Sequence, residues 1–344
     1  MKKFLFCLFC LFMLNSFPLH AQENKNVWVV FDTKKSEEHT INIIVPDTSS
    51  IQEETVSPSN LETAIVGADD RQNISGNASI YEQAVVLVQS NLGQCSGAMV
   101  GPRTVLTAAH CLVSKGDFTS DVWVYAPGVP KDWDQDFAAY RGENEPKNNF
   151  KRYYYRQDID RENLEKTIRE QIDKSASKKI GYPAASADLL FVPNGFLEIS
   201  RNSKNEQYIS IADERYDYAI ISLEEELGNK TGWLGLKAKT IFGLLGRKIV
   251  LAGRSYDKSP ENTLWKSTGR IGFLIPPVFK HNADMLSGNS GGPIFLADDP
   301  KYIIGLSNFD NGEEHADRGF PNGALRIGID IIEAVNSIEQ QVYK

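Results

Sequence analysis

Short β-type runs dominate the hydrophobic pattern of this chain. Val100 to Leu106 is one such run and ends at Thr107-Ala108-Ala109-His110-Cys111; another, Ala219 to Leu223, follows Arg215-Tyr216-Asp217-Tyr218. Apolar, β-branched runs bounded by turn formers read as strands. Residues 22–63 are polar and Ser/Glu-rich, with β-like patches at Val27 to Phe31 and Ile41 to Val45, and read as a propeptide or N-terminal extension. Helical spacing is rarer. Leu164, Ile168 and Ile172 recur while Arg161, Glu165, Arg169 and Lys174 stay polar, which predicts an amphipathic helix over 159–175, and a terminal helix is predicted over 329–342. At the start, Lys2-Lys3, the apolar stretch Phe4 to Leu14 and Leu19-His20-Ala21 have the order of a secretory signal over 1–21, cleaved after Ala21. The apolar part is too short to cross a bilayer. Export to the periplasm or the medium is therefore expected, without a stable membrane anchor.

Polar residues at the edges of these runs carry the candidate chemistry. In Ser287-Gly288-Asn289-Ser290-Gly291-Gly292-Pro293, glycines let the backbone turn its N–H groups toward charge that develops on a carbonyl oxygen. Ser290 is the candidate nucleophile, and the N–H groups of Gly288 and Ser290 form the candidate oxyanion hole. His110, delivered by a strand end, is the candidate general base, because a neutral imidazole can take the serine proton and return it to a leaving amine. Asp217 opens a strand with its carboxylate headed for burial, which is costly without a donor. A histidine N–H meets that need and fixes the ring's tautomer.

Composition narrows the setting. With 41% hydrophobic and 24% charged residues among 344, the chain can bury a core and is not of disordered type. A net charge of −8 leaves no basic surface for phosphate, so nucleic acid is not an expected partner. Cys7 and Cys10 fall in the signal, which leaves Cys95 and Cys111 for an oxidising compartment. The cysteines and the five histidines offer no ligand pair at metal spacing, so neither a metal nor an organic cofactor is expected.

The order His110, Asp217, Ser290 is that of the chymotrypsin architecture. Further blocks carry the likeness: AIVGADDR from Ala64 to Arg71, GPRTVLTAAHC from Gly101 to Cys111, YDYAIISLEEELGNKTGWLGL from Tyr216 to Leu236, and GRSYDKSPENTLWKSTGRI from Gly253 to Ile271. On these residues the chain resembles the bacterial glutamyl endopeptidase family of chymotrypsin-fold serine proteases. The resemblance implies an all-β domain over 64–344, built as two packed six-stranded antiparallel β-barrels with a C-terminal helix. His110 and Asp217 would come from the first barrel and Ser290 from the second, with the active cleft between them. It implies a Cys95–Cys111 disulfide, a zymogen whose mature chain begins near Ala64 or Ile65, and a monomer that cuts peptide or protein substrates through an acyl-enzyme.

Departures from the family pattern matter as much. His110 and Asp217 are 107 positions apart, about twice the usual spacing, so a helical insertion in the first barrel is expected over 131–205. Where glutamyl endopeptidases keep a Gly-Ile-His string, Gly305-Leu306-Ser307 places Ser307 in the histidine's position, and Met285 replaces their hydroxyl five positions before the nucleophile. A glutamate carboxylate facing one neutral hydroxyl and a thioether loses most of its compensation for leaving water. A preference for Glu is therefore not expected. Asp284 matches the pocket-floor aspartate of trypsin and, with Met285 and Ser307, completes the candidate substrate-binding set, so a basic or apolar residue before the scissile bond is expected first. Trypsin's ion pair between a new amino terminus and the residue before the nucleophile is unavailable, because that residue is Asn289. Asn308 stands where a serine commonly supports the triad aspartate. The competing class is a non-enzymatic binding protein of toxin or adhesin type on the same fold, whose mark would be a broken triad or a displaced oxyanion glycine; neither is seen.

Overall fold

The apolar runs become strands because two rings of sheet bury them on both faces. The computed structural model describes residues 27–43, 65–119, 121–128, 182–202, 213–258, 263–310 and 319–342. The signal expected over 1–21 and the helix expected over 159–175 lie outside these residues.

The N-terminal half contains β1 (Val27–Asp32), β2 (Glu37–Asn42), β3 (Gln72–Asn73), β4 (Val85–Ser90), β5 (Gly93–Met99) and β6 (Thr104–Thr107), then the small ribbon β7 (Val113–Ser114) and β8 (Asp117–Phe118). After β9 (Trp123–Tyr125) come β10 (Ala184–Pro193), helix α1 (Asn194–Asn202), β11 (Ala219–Leu223) and the short helix α2 (Gly228–Thr231). The antiparallel order β11-β6-β5-β4-β9-β10 closes into a six-stranded barrel because β10 also pairs with β11. All five residues of β11 are buried, which is why that run is continuously apolar and does not alternate.

The second half contains β12 (Gly235–Leu236), β13 (Lys248–Gly253), β14 (Trp265–Ile275), β15 (Val278–His281), β16 (Pro293–Leu296), β17 (Asp299–Asp310), β18 (Asn322–Arg326) and helix α3 (Ile329–Val342). The order β17-β16-β13-β14-β15-β18 closes through β17 and β18 into the second antiparallel barrel. β12 adds to β17, and β3 adds to β14. Helix α3 buries Ile331, Ala334, Val335 and Ile338, a helical stripe that joins the core of the first barrel. Ile74, Val85, Leu87, Ala252, Leu264 and Phe295 form an apolar group shared by both barrels.

Two expectations change in detail. The segment 22–63 contributes a folded hairpin: β1 pairs with β10 through the register Trp28 to Pro193 and Asp32 to Leu189, and with β2 on its other edge. Trp28 is 1% exposed and meets Tyr218 edge-on at 5.5 Å between ring centroids. The outer strand β2 is largely exposed, and its Glu37 and Glu38 discourage further strand addition. Part of the stretch expected as an insertion over 131–205 serves the ring itself. Residues 184–193 within it are β10, a strand the closed ring requires.

Candidate active site

His110 sits in a single helical turn, Ala109–Cys111, directly after β6. Asp217 leaves the turn Asp213–Tyr216 just before β11, and β6 and β11 are neighbours, so the sheet brings the two side chains together. The His110 backbone N–H donates to Asp217 Oδ1 at 3.0 Å, and the ring Nδ1 lies 2.7 Å from Oδ2. Facing a carboxylate, Nδ1 carries the proton, which leaves the Nε2 lone pair as the basic site. The Asp217 side chain is 2% exposed and that of His110 31%. Burial alone would depress the imidazole's pKa, but the charge of Asp217 and its hydrogen bond outweigh it and hold His110 above its ordinary range. Asn308 Nδ2 donates to the Asp217 backbone oxygen at 2.6 Å, so Asn308 braces this aspartate through the main chain.

Ser290 comes from the loop before β16. Its backbone oxygen accepts the Ser96 N–H at 2.8 Å, and Ser96 follows Cys95, whose disulfide to Cys111 adjoins His110. The loop is thereby tied to the wall that carries the imidazole. Among the described residues Ser290 Oγ makes no hydrogen bond, the one to His110 included; such contacts are commonly long without substrate and tighten in the reacting complex. Gly291, at φ +76°, packs so closely on Thr107 and the Ser96 carbonyl that a Cβ there would overlap them.

The candidate oxyanion donors are oriented by their own peptide groups. Tyr256 N–H donates to the Ser287 carbonyl at 3.0 Å, and Gly292 N–H donates to the Asn289 carbonyl at 2.8 Å. In a trans peptide the N–H points opposite to the C=O, so anchoring these two carbonyls turns the Gly288 and Ser290 N–H groups the other way. Ser96 Oγ also donates to the Gly288 carbonyl at 2.7 Å and accepts from Arg254 N–H at 2.7 Å. Gly288 has φ +97°, and the Tyr256 ring lies 3.0 Å from where its Cβ would be. Glycine is therefore required there on two counts. Neither Ser96 nor Tyr256 stood out in the sequence; their polar groups acquire a purpose only when the barrels meet.

The expected substrate-binding residues are otherwise engaged. Asp284 is buried, and its carboxylate accepts Val66 N–H at 2.7 Å and Asp70 N–H at 3.2 Å. Burial and then the charge of Asp284 push Asp70 above the usual carboxylate range. Ser307 Oγ donates to Met285 Sδ at 3.5 Å, and both residues are buried. Among the described residues, Cys95, His110 and Cys111 form a close group of atom types that can ligate metals. The disulfide removes both thiolates and Asp217 holds the imidazole Nδ1, so this group does not suit a metal.

Residues 66–173 match the Trypsin family model. The chain is 25% identical over 234 residues to the glutamyl endopeptidase of Bacillus licheniformis, covering 67% of this chain and 54% of the relative. It is 23% identical over 248 residues to the extracellular metalloprotease of Bacillus subtilis, covering 70% of this chain and 59% of the relative. The chain thus spans little more than half the length of these curated relatives. A solved structure of a Glu endopeptidase in complex with MPD matches with a TM-score of 0.54 and 19% identity, over 81% of this chain and 100% of that one. The Trypsin match over part of the chain, the Bacillus relatives and the paired barrels agree on a chymotrypsin-like fold similar to that of these serine proteases.

Proposed function

We propose that the protein is an exported serine endopeptidase working through an acyl-enzyme. The observation that carries this reading is the short His110–Asp217 bond beside a serine loop whose two N–H groups are aimed by anchored carbonyls. Ser290 Oγ attacks the scissile carbonyl carbon while His110 Nε2 takes its proton, and the oxyanion settles on the N–H groups of Gly288 and Ser290. The C–N bond then breaks as the imidazolium returns that proton to the leaving amine. Water, deprotonated by the same Nε2, attacks the ester carbonyl, and the imidazolium hands that proton to Ser290 Oγ as the acyl C–O bond breaks. Asp217 stays ionised throughout and stabilises the imidazolium. Export is supported by the signal-like N-terminus and by the disulfide. Among the described residues no helix is long and apolar enough to cross a membrane.

The relative from B. licheniformis is a glutamyl endopeptidase by name, yet this pocket offers a glutamate little. The Ser307 hydroxyl is committed to Met285, and the Asp284 carboxylate, nearby in sequence, is already satisfied by backbone N–H groups. We therefore favour an apolar residue before the scissile bond. A fluorophosphonate probe should label the wild type and spare Ser290→Ala, which should also lose peptidase activity. Equal labelling of the two proteins would refute the assignment. Peptide-library profiling decides the pocket, and a clean Glu preference would overturn the specificity argument alone.

A further inference from the structure

We propose that Arg71 is a positioning residue for the nucleophile, acting through Ser255 and Asn289 on the turn that presents Ser290. This role rests on the endopeptidase reading and deepens it. The Arg71 side chain is 3% exposed. Burying a guanidinium is costly unless all its donors are met, and here all five are. Nε donates to Asp69 Oδ1 at 2.9 Å and Nη2 to Asp69 Oδ2 at 2.9 Å. Nη1 and Nη2 reach Asp257 Oδ1 and Oδ2 at 2.9 and 2.5 Å. The fifth donor, on Nη1, goes to Ser255 Oγ at 2.6 Å. Lys258 also binds Asp69, so two cations balance two carboxylates and no net charge is buried.

Two bidentate carboxylates fix the guanidinium plane, and the fixed plane fixes the fifth bond. The Ser255 hydroxyl donates to Asn289 Oδ1 at 3.3 Å, with the Asp257 carboxylate a second acceptor within reach of the same proton. Asn289 is buried and closes the turn in both directions. Its Oδ1 accepts Leu286 N–H at 3.0 Å, its own N–H donates to the Leu286 carbonyl at 3.1 Å, and its carbonyl takes the Gly292 N–H at 2.8 Å. The last of these bonds aims the Ser290 N–H. An internal guanidinium, bridged by a hydroxyl, therefore steadies the residue before the nucleophile, a place where trypsin relies on a released amino terminus. Lysine could not substitute, because a point charge lacks the planar fork that binds two carboxylates and a hydroxyl at once.

The test uses the full chain and the variants Arg71→Ala, Ser255→Ala and the double variant. Folding is followed by circular dichroism, and kcat and KM are measured separately on one peptide substrate. Arg71→Ala should lower kcat by about 10- to 100-fold with KM changed by less than about threefold, the pattern of lost transition-state stabilisation. Millimolar methylguanidinium should recover part of the loss. Ser255→Ala should lower kcat as well, and the double variant should be no worse than Arg71→Ala, because both act through one relay. Wild-type kcat in folded Arg71→Ala overturns the proposal, as does a loss that methylguanidinium leaves untouched and that multiplies with Ser255→Ala. If Arg71→Ala does not fold, Ser255→Ala decides, since it leaves the ion cluster whole; an unchanged kcat there sinks the relay. A wild type that neither cleaves peptide nor reacts with fluorophosphonate removes the endopeptidase reading itself, and the positioning role with it.

Discussion

At the scale of single residues, the His110–Asp217 pair makes the sharpest prediction. In the proposed mechanism the reaction needs the neutral imidazole, and the aspartate holds His110 above its ordinary value of 6.5. The rate kcat/KM should therefore rise with pH through an apparent pKa above 6.5, and fall away on the acid side. For stability the sign is opposite: a raised histidine adds stability that is complete below 6.5 and is lost as pH climbs through the folded value. Asp217→Asn should move the acid limb of the rate profile downward and cut kcat by roughly 10⁴-fold, through the wrong tautomer. A profile with its limb unmoved would show that Asp217 does not set the imidazole. Asp284 separates two roles. If its carboxylate serves Val66 and Asp70, Asp284→Ala should cost roughly 2–3 kcal/mol in denaturant melts. The ratio of cleavage after Arg to cleavage after Leu should stay unchanged, whereas a pocket-floor aspartate would lose the Arg arm. His110, Asp217 and Ser290 could be named as candidates because each sits in a local string with its own chemical logic. Arg71 was not, because its partners Ser255 and Asp257 lie 184 and 186 positions away.

Among the elements, strands were readable wherever burial is continuous, as in β11, and the amphipathic stripe of α3 was readable from its spacing. β10 was hidden inside an apparent insertion. Its Ala184–Pro193 stretch mixes small and apolar residues, and only the need to close a ring between β9 and β11 reveals what it is. The N-terminal hairpin was read as two β-like patches, but pattern alone could not say what they pair with. Its docking on β10 places Trp28 in the first core, against Tyr218, the residue after the candidate orienting aspartate. Trp28→Ala in the full chain should therefore cost about 3–5 kcal/mol, the range for deleting a buried aromatic. Thermal denaturation checks it. A change within experimental error would mean that the hairpin adds little to the barrel it covers.

At the scale of the whole molecule, two closed barrels share an apolar group, and each half has its own point of vulnerability. In the first, the Cys95–Cys111 link closes a loop of 16 positions. In the second, His281 at the end of β15 is fully buried, and among the described residues neither ring nitrogen makes a hydrogen bond of normal geometry. Burial, and then the nearby charge of Lys280, push it down to about 3, while the backbone at Ala283 pulls weakly the other way. A depressed histidine contributes stability that is present above the unfolded value of 6.5 and is lost as pH falls toward the folded value. Between those limits the unfolded chain takes up a proton that the native barrel refuses, at a cost of about 1.4 kcal/mol per pH unit. His281→Leu, close in volume and without a titrating group, removes that one proton from the balance. Urea melts of both proteins from pH 7 to pH 4 should thus show the wild type losing stability faster than the variant. The gap in slope should open below pH 6.5, where the unfolded histidine begins to charge. Parallel curves across that range would mean that the native barrel accommodates a charged His281, and that acid sensitivity resides in the carboxylates alone.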